Sequence, residues 1–319
     1  MKILVTPASF RQGAAGTVMD ELKSFAGKTA EALIFNPKGK PLSEDELIAM
    51  LEGCDGCIAG LDPFSKRVID STDGLKVISR YGTGIDNVDI AAAKAKGIVV
   101  CRTPGVNAQA VAELAMTLLL CLARQVPMLD RKTREGYWVR SVGIELHKKT
   151  LGILGLGAVG KRTARIAAGF SMKVLACDPI LDREYAQANG INPVDFGTLL
   201  RESDFLSLHL PLNAETRYII SAEAMRNMKK GAIIINTARG GLIDEAAACE
   251  SIKTGHLDGL GLDVYESEPP QNSPLFGLEN VVFTPHTAAH TTEATAAMAE
   301  LSVRNLIDVL SGRDCVNSV

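Results

Sequence analysis

One segment constrains this chain more than any other: an apolar run at 150–154, then Gly155-Leu-Gly157-Ala-Val-Gly160, then a stretch of helix-forming residues beginning Lys161-Arg162. A strand that turns through three glycines into a helix is the geometry that receives a pyrophosphate. Gly155 permits the tight turn, Gly157 lets phosphate approach the backbone, and Gly160 lets the helix pack on the strand. The helix start then presents unpaired amides and a partial positive charge. The next apolar run, 173–177, ends at Asp178, 18 residues after Gly160. A carboxylate at about that spacing accepts the ribose hydroxyls and repels a 2′-phosphate, so NAD is expected over NADP.

The motif lies mid-chain, so about 100 residues of separate structure are expected before it. Short apolar runs alternate with helical patterns throughout. Strands are expected at 2–6, 32–35, 56–59, 76–79, 98–101, 150–154, 173–177, 205–208, 232–236, 259–262 and 281–284. Continuous apolar strands alternating with helices predict parallel sheets covered on both faces. The fold class is therefore α/β, with two Rossmann-like doubly wound domains. The nucleotide domain, 100–287, is inserted in a smaller substrate domain made of 1–99 and 288–319. Ala108–Ala123 is apolar on nearly every side, which predicts a helix buried in a domain or an interface. A last helix is expected over Thr292–Leu310, stopped by Gly312.

A net charge of −3 offers no basic surface for nucleic acid or an anionic membrane. The longest apolar run, 114–123, is too short to span a bilayer. Residues 1–6 read as a strand rather than a secretion signal. Seven scattered cysteines fit reduced, buried thiols and a cytoplasmic setting. Cys54 and Cys57 form a single C-x-x-C, read as two ordinary buried cysteines.

A nicotinamide exchanges hydride with a carbonyl carbon, which needs an acid for the oxygen and, where the substrate is anionic, a cation to hold it. The exchange also needs a group that keeps that acid charged. Of five histidines, His147 and His256 fall in a charged loop and a turn. Ligands bind at strand ends, which leaves His209, His286 and His290. His209 is expected to line the cofactor pocket with a partly structural ring. His286 and His290 are four apart, but only Thr-Ala-Ala lies between them, so no metal is expected. Arg239 follows run 232–236 and precedes two glycines, a setting for a bidentate grip on a carboxylate. Glu266 and Glu268 both lie where a carboxylate could raise the pKa of His286; the residues alone leave the choice open.

These landmarks resemble those of the D-isomer-specific 2-hydroxyacid dehydrogenases. The shared segments are RYGTGIDNVD (80–89), NAQAVAELAMTLLL (107–120), TLGILGLGAVG (150–160), HLPLNAET (209–216), NTARGGLIDE (236–245), LDVYESEP (262–269) and TPHTAAH (284–290). Within the family the chain is most similar to short-form members acting on 3-phosphoglycerate, in serine synthesis. The resemblance implies that Arg239 binds the substrate carboxylate and that Glu268 pairs with a catalytic His286. It implies cofactor contacts at Gly155, Gly157, Ala158, Val159, Gly160, Asp178, His209, Pro211, Thr216, Thr237, Ala238, Asp263 and His286. It further implies substrate contacts at Arg80, Tyr81, Gly82, Thr83 and Asn107, and at Arg140 reaching a neighbouring subunit. The family fold implies a cleft between two domains. A homodimer is implied too, formed through the segment from Ala108 to about residue 145.

There are departures. Members committed to 3-phosphoglycerate carry an Arg where run 56–59 ends; here the chain reads Ala59-Gly-Leu-Asp62. Lys148, Ala288 and His290 also replace the family's usual residues. Reduction of glyoxylate or hydroxypyruvate is the alternative substrate reading. A non-catalytic NADH-sensing scaffold, like the corepressors that share the fold, is a third.

Overall fold

The computed structural model describes residues 1–14, 16–27 and 32–319. It contains two compact units, Met1–Asn107 with Ala289–Val319, and Ala108–Ala288. In the first unit five strands form one sheet: β1 (Ile3–Val5), β2 (Leu33–Phe35), β3 (Gly56–Ala59), β4 (Val77–Arg80) and β5 (Val99–Cys101). Their order is β2-β1-β3-β4-β5, and every pairing is parallel. The sequence boundary at 99/100 moves to 107/108, because β5 pairs with β4 and so belongs to this sheet. The last helix, Thr292–Leu310, returns to the same sheet. Its Met298, Val303 and Leu306 are buried with Ile3, Val5 and Val77. Ser302 O accepts the Ser79 hydroxyl at 2.8 Å.

The second unit holds seven strands: β6 (Thr150–Leu154), β7 (Lys173–Cys177), β8 (Ile191–Pro193), β9 (Phe205–Leu208), β10 (Ala232–Asn236), β11 (Leu257–Leu262) and β12 (Val281–Phe283). The order is β12-β11-β10-β9-β6-β7-β8, again wholly parallel. Eleven strands were expected; β8 is the addition. It is a three-residue edge strand ending in Pro193, which cannot donate to a ladder, so its apolar signal is weak.

Alternate residues of β6 face opposite cores. Leu151 and Ile153 join the cluster that includes Met116, Leu118 and Leu119, while Leu154 joins that of Leu206, Ile234 and Leu260. Helix Ala108–Ala123 covers the first of these faces. Its exposed positions, Gln109, Glu113 and Thr117, recur every four residues, so one polar stripe interrupts the apolar surface. Each fully buried leucine of this helix stabilises the unit by about 2 kcal/mol. Among the described residues no single helix is long and apolar enough to cross a membrane.

Candidate active site

Strand order in the second unit reverses at β6, which has β9 on one side and β7 on the other. The carboxyl ends of such a pair form the crevice where α/β sheets take ligands. The glycine turn lies there, between β6 and helix Ala158–Gly169. Gly155 has φ 98°, and a Cβ on it would come within 2.7 Å of the His209 carbonyl. A Cβ on Gly160 would come within 2.1 Å of the Gly155 carbonyl. Gly157 differs: it is exposed, and nothing lies within 4 Å of where its Cβ would be. It caps the helix without a side-chain hydrogen bond, so the turn is closed below by backbone and open above.

Asp178 leans over this turn. Its Oδ2 accepts the Leu156 amide at 2.7 Å and its Oδ1 the Ile180 amide at 2.8 Å. Two further observations bear on whether a dinucleotide fits. Thr237 Oγ1 is buried and, among the described residues, has no hydrogen-bond partner. His209 is anchored through its amide to Leu154 O and through Nε2 to the Ser207 hydroxyl at 3.0 Å. Burial pushes its imidazole down to about 4, so it is neutral at ordinary pH and offers no competing cation. Below it, Thr216 closes the loop by donating to Pro211 O and accepting the Asn213 amide, both at 2.8 Å. An open glycine, uncapped amides, a placed carboxylate and an unsatisfied hydroxyl together suit a bound dinucleotide.

The groups suited to chemistry follow the next three strands. After β10, Asn236 builds the turn: Nδ2 donates to Arg239 O at 2.8 Å, and Oδ1 accepts the Ala238 amide at 3.0 Å. Arg239 is half-buried, and one Nη donates to Ala238 O at 2.6 Å. After β12, His286 sits in the left-handed region at φ 50°. Its Nδ1 lies 2.6 Å from Glu268 Oε2, and Glu268 Oε1 accepts the Tyr265 amide at 3.1 Å. Both side chains are about 30 % exposed, so the pair is open to solvent on one side and shielded on the other. Glu266 turns away, to Arg217 at 3.0 Å and the Tyr218 hydroxyl at 2.5 Å. Glu268, not Glu266, thus lies beside His286, a choice that the residues without the resemblance left open.

Asp263 is the residue whose weight the sequence concealed. It is fully buried at the end of β11. It accepts the Thr284 hydroxyl at 2.6 Å, the Thr287 amide at 2.8 Å and the Ala288 amide at 2.9 Å, while its own carbonyl accepts the His286 amide. One buried carboxylate therefore holds the loop bearing His286 from both sides. The resemblance implied a cofactor contact for Asp263; the structure adds its support of this loop. An acid directly after an apolar strand was the available signal for either.

Residues 116–288 match the family model described as D-isomer specific 2-hydroxyacid dehydrogenase, NAD binding domain. The chain belongs to this family. It is 40% identical over 282 residues to D-3-phosphoglycerate dehydrogenase of Methanocaldococcus jannaschii, covering 87% of this chain and 54% of that protein. It is 40% identical over 275 residues to glyoxylate reductase of Korarchaeum cryptofilum, covering 84% of this chain and 83% of that protein. Among solved structures, the TT0316 protein of Thermus thermophilus superposes with a TM-score of 0.87 at 37% identity, with each chain covered in full. The chain spans about half the length of the phosphoglycerate dehydrogenases it matches.

The 2-hydroxyacid dehydrogenase resemblance also named residues of the first unit. Thr83 and Asn107 come together there, Oγ1 to Oδ1 at 3.4 Å, and the Thr83 hydroxyl reaches Thr103 O at 3.1 Å. Tyr81 is buried, with its hydroxyl donating to Thr295 O at 3.1 Å; Gly82 O accepts the Thr103 amide. Arg80, named with them, is held differently. It is the last residue of β4 rather than the first beyond it, and it is 4% exposed. Its Nε donates to Gly84 O at 2.9 Å, and one Nη to Ala59 O at 2.8 Å and Gly60 O at 2.5 Å. These contacts tie the guanidinium to the loop after β4 and to the end of β3. Arg140, by contrast, is exposed beside Trp138 in the second unit.

Proposed function

We propose that this chain catalyses NAD-linked interconversion of a small D-2-hydroxy acid and its 2-oxo acid. The Glu268–His286 contact at 2.6 Å carries the reading. With Nδ1 held by a carboxylate, Nε2 is left to face the reacting oxygen, where a proton must be given. When bound, NADH supplies the hydride to C2. His286 Nε2 delivers a proton to the carbonyl oxygen, and in the opposite direction removes it from the hydroxyl. Arg239 grips the carboxylate and orients C2. Glu268 offsets the developing change of charge on His286. Gly155, Gly157, Ala158, Val159 and Gly160 would seat the pyrophosphate, with Asp178 on the ribose. Pro211, Thr216, Thr237 and Ala238 would form the rest of the cofactor wall. Tyr81, Gly82, Thr83 and Asn107 remain the proposed substrate residues of the first unit.

Similarity to phosphoglycerate dehydrogenases supports a phosphorylated substrate and a place in serine synthesis. One observation favours the second reading, an unphosphorylated acid such as glyoxylate or hydroxypyruvate. No arginine follows β3, where the chain reads Ala59-Gly-Leu-Asp62, and Asp62 is buried, accepting the Thr6 hydroxyl and the Leu42 amide. The turn after β3 therefore carries an acid and no arginine for a phosphate. Free thiols at all seven cysteines suit a cytoplasmic setting. Exposed Val126, Tyr137, Trp138, Val139 and Val142 suit a homodimer contact, with Arg140 placed among them.

Replacing His286 by Gln or Arg239 by Ala should cut turnover by about 10²-fold or more while NADH still binds. Unchanged turnover in either variant would overturn the assignment. Parallel assays with phosphohydroxypyruvate, hydroxypyruvate, glyoxylate and pyruvate decide the substrate.

A further inference from the structure

Two cysteines far apart in sequence meet in the first unit. Cys101 ends β5, and Cys315 lies in the tail after the last helix. Their sulfurs are 3.1 Å apart across 214 residues of chain, with the Cys101 thiol donating to Cys315. The tail is held on both sides of this contact. Arg102 N donates to Asn317 O at 3.1 Å, Val319 N to Val100 O at 3.0 Å, and Ser318 bridges Cys101 in antiparallel sense. Asn305, on the last helix, fastens the corner: Nδ2 donates to Arg102 O, and Oδ1 accepts from Asn317 Nδ2 and from Cys315 Sγ. Cys101 is fully buried, whereas Cys315 is partly exposed.

We propose that Cys315 is a hydroperoxide-reactive thiol and Cys101 its resolving partner, forming a disulfide that staples the tail to β5. The Cys315 thiolate attacks the terminal peroxide oxygen; the O–O bond breaks, giving a sulfenic acid and, after protonation, an alcohol or water. The Cys101 sulfur then attacks the Cys315 sulfur, hydroxide leaves, and the Cys101 proton completes it to water. The thiols lose two electrons and the peroxide gains them. The asymmetry sets the roles. Burial holds the Cys101 thiol well above its ordinary range, so it keeps its proton until the second step, while the partly exposed sulfur meets oxidant first. The C-x-x-C pair lacks this division: Cys54 and Cys57 are both buried, and Cys54 donates to Met50 O.

The test uses the full chain, reduced, freed of reductant and exposed to hydrogen peroxide. Thiols are then counted after denaturation, and the digest is mapped by mass spectrometry. The expected result is a fall from seven titratable thiols to five, with the Cys101 and Cys315 peptides joined. Cys315→Ser should form no cross-link. Cys101→Ser should leave a sulfenic acid at residue 315, trapped by dimedone. The staple closes a long loop, so oxidised wild type should melt on the order of several degrees higher, and oxidised Cys315→Ser should not. Seven surviving thiols, a cross-link between Cys54 and Cys57, or equal oxidation of wild type and Cys315→Ser would each overturn the proposal. Residue 315 lies in the partly exposed tail, so its serine variant tests the idea even if the buried Cys101 tolerates no change.

Discussion

Gly240 is one residue from Arg239 and packs on the peptide that leads to Glu268, so Gly240→Ala tests whether these segments must touch. The added Cβ would lie 2.0 Å from the Tyr265 carbonyl carbon, 2.3 Å from its oxygen and 2.4 Å from the Glu266 nitrogen. All three are backbone atoms, which no rotamer change can remove. Restoring ordinary contact, near 3.4 Å, requires the two backbones to part by about 1.4 Å. Overpacking of this kind costs about 1–3 kcal/mol in stability. The larger effect falls on turnover, because misplacement of reacting groups by about 1 Å costs on the order of 10²-fold. Gly241→Ala is the control: its Cβ would meet the Leu212 methyls at 3.0 and 3.3 Å and Arg217 Nη1 at 3.6 Å, all side-chain ends that can move. The assay is loss of NADH absorbance on the preferred 2-oxo acid, with NADH affinity from fluorescence titration and folding from thermal melts. Gly240→Ala should lose about 10²-fold in kcat with NADH affinity little changed, and Gly241→Ala only a few-fold. A folded Gly240→Ala enzyme with nearly normal kcat would refute the reasoning, since the two segments could then separate without consequence.

Three other outcomes follow from the same geometry. Gly160→Ala puts a Cβ 2.1 Å from the Gly155 carbonyl, so it should abolish measurable NADH binding or destabilise the fold by about 1–3 kcal/mol; a titration and a melt will show which. Asp178→Ser should relax the cofactor preference, raising kcat/KM with NADPH relative to NADH by about tenfold or more, because the charge that repels a 2′-phosphate is gone; an unchanged ratio would count against the ribose role. His209 titrates near 4 in the folded chain and near 6.5 when unfolded. The unfolded state therefore binds more protons between those values, and stability is lost as pH falls from about 6.5 towards 4, by up to about 3 kcal/mol. Denaturant titrations of wild type and His209→Asn across that range should show the variant with the flatter dependence.

Where local chemistry dictated structure, the sequence was legible. The strand, three glycines and helix at 150–169 form as their spacing implies, and Ala108–Ala123 and Thr292–Leu310 are helices over the residues that periodicity marked. Reading failed where tertiary contacts decide. Arg80 was named only through the family resemblance, and nothing local signalled its burial. Only the pairing of Arg80 with Ala59 in the ladder shows the side chain to be buried among carbonyls. Nothing local separated Glu266 from Glu268; the difference lies in Arg217 and Tyr218, nearly 50 residues away. The Cys101–Cys315 contact spans 214 residues and has no local signature at all.

Arg239, Glu268 and His286 follow β10, β11 and β12, which lie side by side in the sheet. Neighbouring strands are held about 4.8 Å apart by peptide hydrogen bonds, whatever their side chains. The footing of the proposed reacting groups is thus a property of the polypeptide lattice. Under the proposed function the strand ends carry the chemistry and other residues the choice of acid, so the two can vary apart. Relatives that share this much sequence yet bear the names of different substrates are what such a division of labour would leave behind.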